Sequence, residues 1–486
     1  MNAAELLLAG EPDAIALIEG DDSLAYGDLR TRVMRAGSVW NARGVTPGAR
    51  VVIAMRDGID WVAAFLGLVW TGALPIAVSS KAPVAQLRDL VTDSGAVALL
   101  LEDEVADEFG GPAAIARGAW RAQVDAAAAD AALFAAGDDE PAFLLYSSGT
   151  TGKPKGIVHA HRAVRHAHVF ARDILGASAQ DRFYSTSKLF FAYPLANALF
   201  AGLRLGATVV LDPEWPNPEH VAELVRRHTP TLLFSVPTLY RRMVEAGVAF
   251  PSVRAAVSAG EACPPPLAEA WREHTGIALV NGYGTTETLS LMLYRSEQMA
   301  GVAATPLTRV DVDGDSAGEH NAVRLWFSHP AVALGYSREV LHDSARFGEH
   351  GFSPGDVFRP ADEPGQWTFA GRSDQLLKVF GRWVDTVAVE NRLQESLQPH
   401  VREACIVPCG TDSEDTTCLH LFVVPAAAST EAELQATLTA AMTGLPTYQR
   451  PAEVHVVSEF PRTETGKLRR GELAALTKGN CSADVR

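Results

Sequence analysis

Along most of the chain, short apolar runs of four to six residues alternate with longer stretches in which apolar positions recur every three or four residues. Near the start, AIALIEG and SLAY flank the turn-like pair Asp21 and Asp22, and the amphipathic YGDLRTRVMRAGSVWNARG follows. That order predicts a hairpin leading into a helix. RVVIAM, DGIDWVAAFLGLVWTG and ALPIAV then form a βαβ unit, and the same alternation returns at AGLRLGATVVL, HVAELVRRHTPTLLFSV and VRAAVSAG. Strands separated by helices imply parallel sheets covered on both faces. Residues 126–139, AAAADAALFAAGDD, read either as a low-complexity connection or as an exposed helix.

Around residue 370 the texture changes. The turn-rich GFSPGDVF and GQWTFAGRSD give way to KVFGRWV, a helix VAVENRLQESLQ and the strands EACIVPCG and CLHLFVV. A helix EAELQATLTAAMTGL, a strand EVHVVSEF and the basic loop PRTETGKLRR close the chain, with no internal repeat. The expected fold is α/β: a large N-terminal domain of stacked α/β subdomains over residues 1–373 and a small α+β C-terminal domain over residues 374–486.

Composition narrows the function classes. The chain has 486 residues, 47% of them hydrophobic, and a formal charge of −16. An acidic chain of this length suits a soluble multidomain protein and argues against a nucleic-acid binder, which needs basic surface to displace counterions. No apolar run reaches the length of a membrane span, and MNAAELLLAGEPDA lacks the basic start of a signal peptide, so a cytoplasmic location is expected. Five cysteines without CxxC spacing suit reduced thiols. Cys405, Cys409, Cys418 and His420 have the chemistry of a zinc site, but they fall in two apolar strand-like runs and read as packing positions.

The chemistry is concentrated in loops. SSGTTGKPKG at 147–156, directly after the apolar FLLY, places three glycines, four hydroxyl residues and two lysines where a strand ends. Such a loop lets backbone amides and hydroxyls approach an anion. Only two residues separate Gly149 from Gly152, so it is not the loop that requires four residues between its glycines. SAGEACP at 258–264, NGYGTTET at 281–288, PGDVF at 354–358 with GRSDQLLK at 371–378, and PRTETGK at 461–467 follow in that order.

Together these motifs resemble the adenylate-forming superfamily of acyl-CoA synthetases, peptide-synthetase adenylation domains and luciferases, over nearly the whole chain. The resemblance implies a mobile C-terminal domain and a carboxylate activated by ATP as acyl-AMP, from which a thiol displaces AMP. On that pattern Ser147, Ser148, Gly149, Thr150, Thr151, Gly152 and Lys155 hold the leaving pyrophosphate, Gly260, Glu261 and Tyr283 line the adenine side, and Gly284 is a further ATP- and AMP-binding residue. Thr286 contacts the α-phosphate, Glu287 helps to hold Mg²⁺, Asp356 accepts from the ribose hydroxyls, and Arg372 reaches the ribose or phosphate. Asp374 falls at the hinge, and Lys467 is the catalytic lysine.

SKLFFAYPLANALF at 187–200 is similar to the acyl-pocket segment of benzoate-CoA ligases and related aryl-CoA ligases. Phe190, Phe191 and Tyr193 suit a flat apolar slot for an aromatic carboxylic acid, and the resemblance assigns Ala192, Tyr193, Ser258 and Leu289 to the pocket. Pro194 and Ala196 stand where benzoate ligases tend to have glycines. The segment KVFGRWVDTVAVE at 378–390 departs from the aryl-ligase pattern at Arg382, Asp385, Thr386 and Ala388. That segment, with Lys378, Gly381 and Trp383, corresponds to the tunnel for the thiol acceptor. Two acceptors therefore stay open: coenzyme A, or the phosphopantetheine of an acyl carrier protein.

Overall fold

The structure is a computed structural model, which describes residues 1–148, 154–313, 322–337, 346–372, 376–379, 382–410, 417–426, 429–462 and 468–477. They form two compact units: residues 1–311 with 326–354, and residues 312–325 with 355–486. The second unit thus comprises residues 312–325 and those from Gly355 on, and the boundary expected near Asp374 lies inside it. The reason is local pairing. The antiparallel strands Asp356–Pro360 and Gln366–Arg372 form a hairpin, and Val323 and Arg324 pair with Phe358 and Val357. The change of texture near residue 370 marks the end of that hairpin.

Two sheets organise the first unit. One runs, in spatial order, through Gly335–Tyr336, Pro154–Ala160, Pro141–Ser148, Leu74–Ala77, Arg50–Ala54, Ala98–Leu101 and Ala114–Ala116. The predicted βαβ unit is present: Arg50–Ala54 and Leu74–Ala77 pair in parallel across the helix Ile59–Trp70. Every residue of that helix from Asp60 to Trp70 is buried: Asp60 is paired with Arg32, Arg117 and Arg121, and from Trp61 on the helix is apolar on all sides. The second sheet carries a parallel core of Ala255–Ser258, Leu232–Ser235, Arg182–Ser185 and Thr208–Leu211, continued by the N-terminal hairpin Ile15–Glu19 and Asp22–Ala25.

Residues 127–139 contain neither helix nor strand, which decides between the two readings of that stretch. The connection is not solvated throughout: Ala131 is buried, its carbonyl accepts from Trp70 Nε1 at 2.9 Å, and the amide of Phe134 donates to the Trp70 carbonyl at 2.9 Å. An alanine-rich segment with good helix propensity is held out of a helix by these tertiary bonds.

In the second unit, Val401–Gly410, Thr417–Pro425 and Glu453–Val456 form a three-stranded sheet. The helices Thr386–Ser396 and Glu431–Thr443 supply Val389, Leu393, Leu434 and Leu438 to the core beside it. Thr430 and Glu433 cap the second helix reciprocally. Among the described residues no helix is long and apolar enough to cross a membrane.

Candidate active site

The strands Pro141–Ser148 and Pro154–Ala160 are antiparallel, with Ser147 opposite Lys155 and Tyr146 opposite Gly156. The base of the loop at 147–156 is therefore a hairpin, whose first strand is the FLLY run expected to feed the loop. Gly149, Thr150, Thr151 and Gly152, with Asp374, Gly381 and Lys467, lie outside the described residues. Gly156 is required by close approach: a Cβ there would sit 2.6 Å from Ser337 Oγ. Ser337 in turn donates its amide to the Gly156 carbonyl at 2.8 Å, which fixes the short edge strand Gly335–Tyr336 beside the loop base.

That edge strand joins two of the sequence motifs. Tyr336 donates its hydroxyl to Glu287 Oε1 at 2.9 Å, and Lys155 Nζ lies over the Tyr336 ring at 5.0 Å from its centroid. The Ala333 amide donates to the Glu287 carbonyl at 2.8 Å. A lysine from the loop base, an aromatic ring and a carboxylate from the GYGTTET turn thus form one cluster, although Lys155 and Glu287 are far apart in sequence. Tyr336 was missed in the sequence, where a tyrosine next to a glycine at a strand end reads as packing.

The turn that carries Glu287 is held by its own threonines. The Thr285 amide donates to Thr288 Oγ1 at 2.9 Å, and Leu289 completes the turn at φ +60°, its amide donating to the Thr285 carbonyl at 3.1 Å. A left-handed leucine stores strain that the surrounding bonds must hold. Gly284 admits the return of the chain: a Cβ there would meet the Ser290 carbonyl oxygen at 2.7 Å. Tyr283 ends the strand Leu279–Tyr283, and its ring lies 6.0 Å from that of Phe327. Beneath the turn, His159 is fully buried and stacked on Phe143 with ring centroids 5.0 Å apart. Burial pushes its imidazole down to about 3, with a smaller opposing pull from the Thr286 backbone, so it is neutral at ordinary pH.

Gly260 and Glu261, expected on the adenine side, and Ser258, expected in the acyl pocket, lie at the end of a neighbouring strand. Ser258 is the last residue of Ala255–Ser258, and Gly260 follows at φ +88°. Glu261 Oε2 accepts from Thr238 Oγ1 at 2.7 Å, at the N-terminus of the helix Pro237–Glu245. Its carboxylate therefore anchors a helix start, where negative charge is favourable.

The segment expected to wall the acyl pocket enters a helix from Ala192 to Leu205 that widens to a π-helical turn over Leu195–Phe200. Pro194 sits in the first turn, where its missing N–H leaves no bond unmade. Tyr193 donates its hydroxyl to the Val257 carbonyl at 2.8 Å and meets Phe234 edge-on at 6.2 Å. The same Val257 carbonyl accepts from Tyr240 at 3.0 Å, from the helix Pro237–Glu245. Ala192 and Leu289 are buried, and the half-buried rings of Phe190 and Phe191 lie 4.0 Å apart. At the head of the segment, Leu189 donates its amide to Asp57 Oδ2 at 3.0 Å, and Lys188 Nζ donates to the Asp212 carbonyl at 2.6 Å and to that of Glu214.

In the second unit, Asp356 is buried and opposite Arg372 in the hairpin register. Lys378 is opposite Trp383 in the pair Leu376–Val379 and Arg382–Asp385. The described residues on either side of Lys467 make charge pairs. Arg462 pairs with Glu403 and bridges to Leu468. Arg470 forms a two-pronged pair with Glu390 at 2.6 and 2.8 Å.

Comparison with known proteins matches the AMP-binding enzyme model to residues 5–337, more than half of the chain. The chain belongs to the AMP-binding enzyme family. The C-terminal domain model of AMP-binding enzymes matches residues 389–467 as well. Among relatives of this family member, the 3-hydroxybenzoate–CoA ligase of Aromatoleum sp. (strain CIB) is 33% identical, over 98% of this chain and 97% of its own length. The benzoate–CoA ligase of Thauera aromatica is 35% identical, over 96% and 93%. A solved benzoate CoA ligase from Burkholderia xenovorans LB400 has a TM-score of 0.84 at 28% identity, covering 98% of this chain and all of that one. The resemblance read from the motifs, and the mixed α/β fold it implied, are thus borne out for this AMP-binding enzyme.

Proposed function

We propose that the chain is an AMP-forming acid–thiol ligase that activates a benzoate-type carboxylic acid with ATP and transfers the acyl group to coenzyme A. The observation that carries this reading is the Lys155–Tyr336–Glu287 cluster beside the anion-binding loop, in a chain whose full-length relatives are aryl-CoA ligases. A carboxylate oxygen of the acid attacks the α-phosphorus, the bond to the bridging oxygen breaks, and pyrophosphate leaves. The thiolate sulfur of coenzyme A then attacks the carbonyl carbon and AMP leaves, carrying the electron pair of the broken C–O bond.

The protein's share in this reading is positioning and charge. Lys155 and the loop amides neutralise the departing pyrophosphate, Thr286 donates to the α-phosphate, and Lys467 approaches the reacting oxygens as a point charge on a long stem. Tyr283, Gly260 and the backbone at Glu261 bound the adenine, and Asp356 takes the ribose hydroxyls. Glu287 fits Mg²⁺: one half-buried carboxylate, oriented by the Tyr336 hydroxyl, suits a hard cation whose remaining ligands are phosphate and water. The ion would supply charge neutralisation on the phosphates. Ala192, Tyr193, Ser258 and Leu289 surround the ring, Asp374 is the hinge, and Lys378, Gly381 and Trp383 flank the acceptor.

The test is pyrophosphate release by the purified protein with Mg-ATP and a panel of benzoate, hydroxybenzoates, aminobenzoates and fatty acids, each with and without coenzyme A. Turnover with an aromatic acid, raised by coenzyme A and yielding its thioester, is the expected result. A preference for fatty acids would overturn the aryl assignment. A single burst that coenzyme A cannot extend, but a phosphopantetheinylated carrier protein can, would replace the acceptor and point to the altered segment at 378–390.

A further inference from the structure

Away from the motifs, three ligand-type side chains converge on the sheet of the second unit. In the parallel register between Thr417–Pro425 and Glu453–Val456, His420 is opposite Glu453 and Phe422 is opposite His455. Residues two apart on a strand share a face, so His420, Glu453 and His455 project together. His420 Nδ1 lies 3.0 Å from His455 Nε2 and 3.9 Å from Glu453 Oε2, and His455 Nε2 lies 3.5 Å from the same oxygen. A tetrahedral ion with ligand bonds of about 2.0–2.1 Å needs donors about 3.3 Å apart, in the middle of that spread.

We propose that His420, His455 and Glu453 form a binding site for a divalent transition-metal ion of the zinc class. Two imidazoles and one carboxylate suit zinc, nickel or copper better than magnesium or calcium, which prefer all-oxygen sets. The rings are already oriented. Phe422 stacks on His455 at 4.6 Å and 22°, and the two imidazoles are 25° from parallel. Cys418, two residues before His420 on the same face, places its Sγ 3.6 Å from His420 Nε2. With Nε2–H donating to that sulfur, the Nδ1 lone pair is left for the metal, and the sulfur takes the outer position that a carboxylate, carbonyl or water usually fills. His420 is 2% exposed, whereas His455 and Glu453 are 25% and 38% exposed, so the open side admits a water as fourth ligand.

This differs from the four-residue set weighed in the sequence. Cys405 shares the face, opposite Phe422, but the Arg470 guanidinium lies 3.3 Å from its sulfur, and a fixed cation there opposes a metal. His455 and Glu453 come from a strand more than thirty residues away, which no local spacing connects to His420.

The test uses the full chain, stripped with a chelator and assayed without nucleotide. After incubation with zinc and desalting, wild type should retain one zinc per chain that His455→Gln and Glu453→Gln lose or bind at least tenfold more weakly. Cys418→Ser should still retain it, with affinity reduced about tenfold. Cobalt should give tetrahedral visible bands in wild type that are absent from His455→Gln. Zinc retention equal in wild type and both ligand variants, or no retention at all, would leave a histidine–histidine hydrogen bond and overturn the site. A thiolate-to-cobalt band that vanishes in Cys418→Ser would overturn the donor set. Glu453 is partly exposed, so its variant should fold normally, which circular dichroism checks.

Discussion

Tyr336 offers a sharp test of the proposed active site, because its two ends touch different charges. Tyr336→Phe removes the 2.9 Å bond to Glu287 and keeps the ring beneath Lys155. Hydrogen bonds to charged groups contribute about 1.5–3 kcal/mol, and the half-buried carboxylate places this one near 1.5, or about tenfold in kcat/KM for Mg-ATP. Tyr336→Leu also removes the cation–π contact, worth about 0.5–1 kcal/mol at a partly exposed site, for a further two- to fivefold loss. The assay is initial-rate pyrophosphate release against ATP at several free Mg²⁺ concentrations. On a Glu287→Gln background Tyr336→Phe should add little, since the tyrosine acts through that carboxylate. Wild-type kinetics for Tyr336→Phe, or full additivity with Glu287→Gln, would refute the reasoning; equal losses in the two Tyr336 variants would remove the role given to the ring.

Three further outcomes follow from the same structure. Lys467→Ala should lose most acyl-AMP formation while still converting supplied acyl-AMP to thioester, measured by separate half-reactions; adenylation at the normal rate would sink the assignment. Trp271 is fully buried against Tyr240 and Phe250, with ring centroids 4.6 and 4.8 Å away, so Trp271→Ala should cost about 3–5 kcal/mol in urea unfolding. Burial holds His159 near 3 and His161 near 4, whereas the unfolded chain binds a proton at each near pH 6.5. Below pH 6.5 the unfolded state therefore binds more protons, and stability should be full above that pH. It should fall towards pH 4 with a slope approaching about 1.4 kcal/mol per pH unit for each histidine. A flat urea midpoint from pH 7 to 5 would contradict this.

What could be read from the sequence was local. The βαβ unit from Arg50 to Ala77 follows from short apolar runs around a helix with apolar residues on all sides. The turn around Glu287 was legible because its own glycines and threonines mark it, whereas the role given to the carboxylate rests on the family resemblance. Groups joined across the chain were not. Tyr336 reaches Glu287 across 49 residues, and Asp57 receives the Leu189 amide across 132, so neither pairing leaves a trace in any window of residues. The stretch 127–139 stayed ambiguous for the same reason, since its conformation is set by Trp70.

The Val257 carbonyl, which accepts from Tyr193 and Tyr240 together, bears on how this enzyme could change its diet. Replacing Tyr193 to fit a bulkier ring would leave that carbonyl half-served and disturb the contact with the helix Pro237–Glu245. In the proposed pocket, a substitution at Ala192 leaves both of that carbonyl's tyrosine bonds in place, whereas one at Tyr193 removes one of them. Libraries that hold Tyr193 constant should keep more folded members than libraries that vary it.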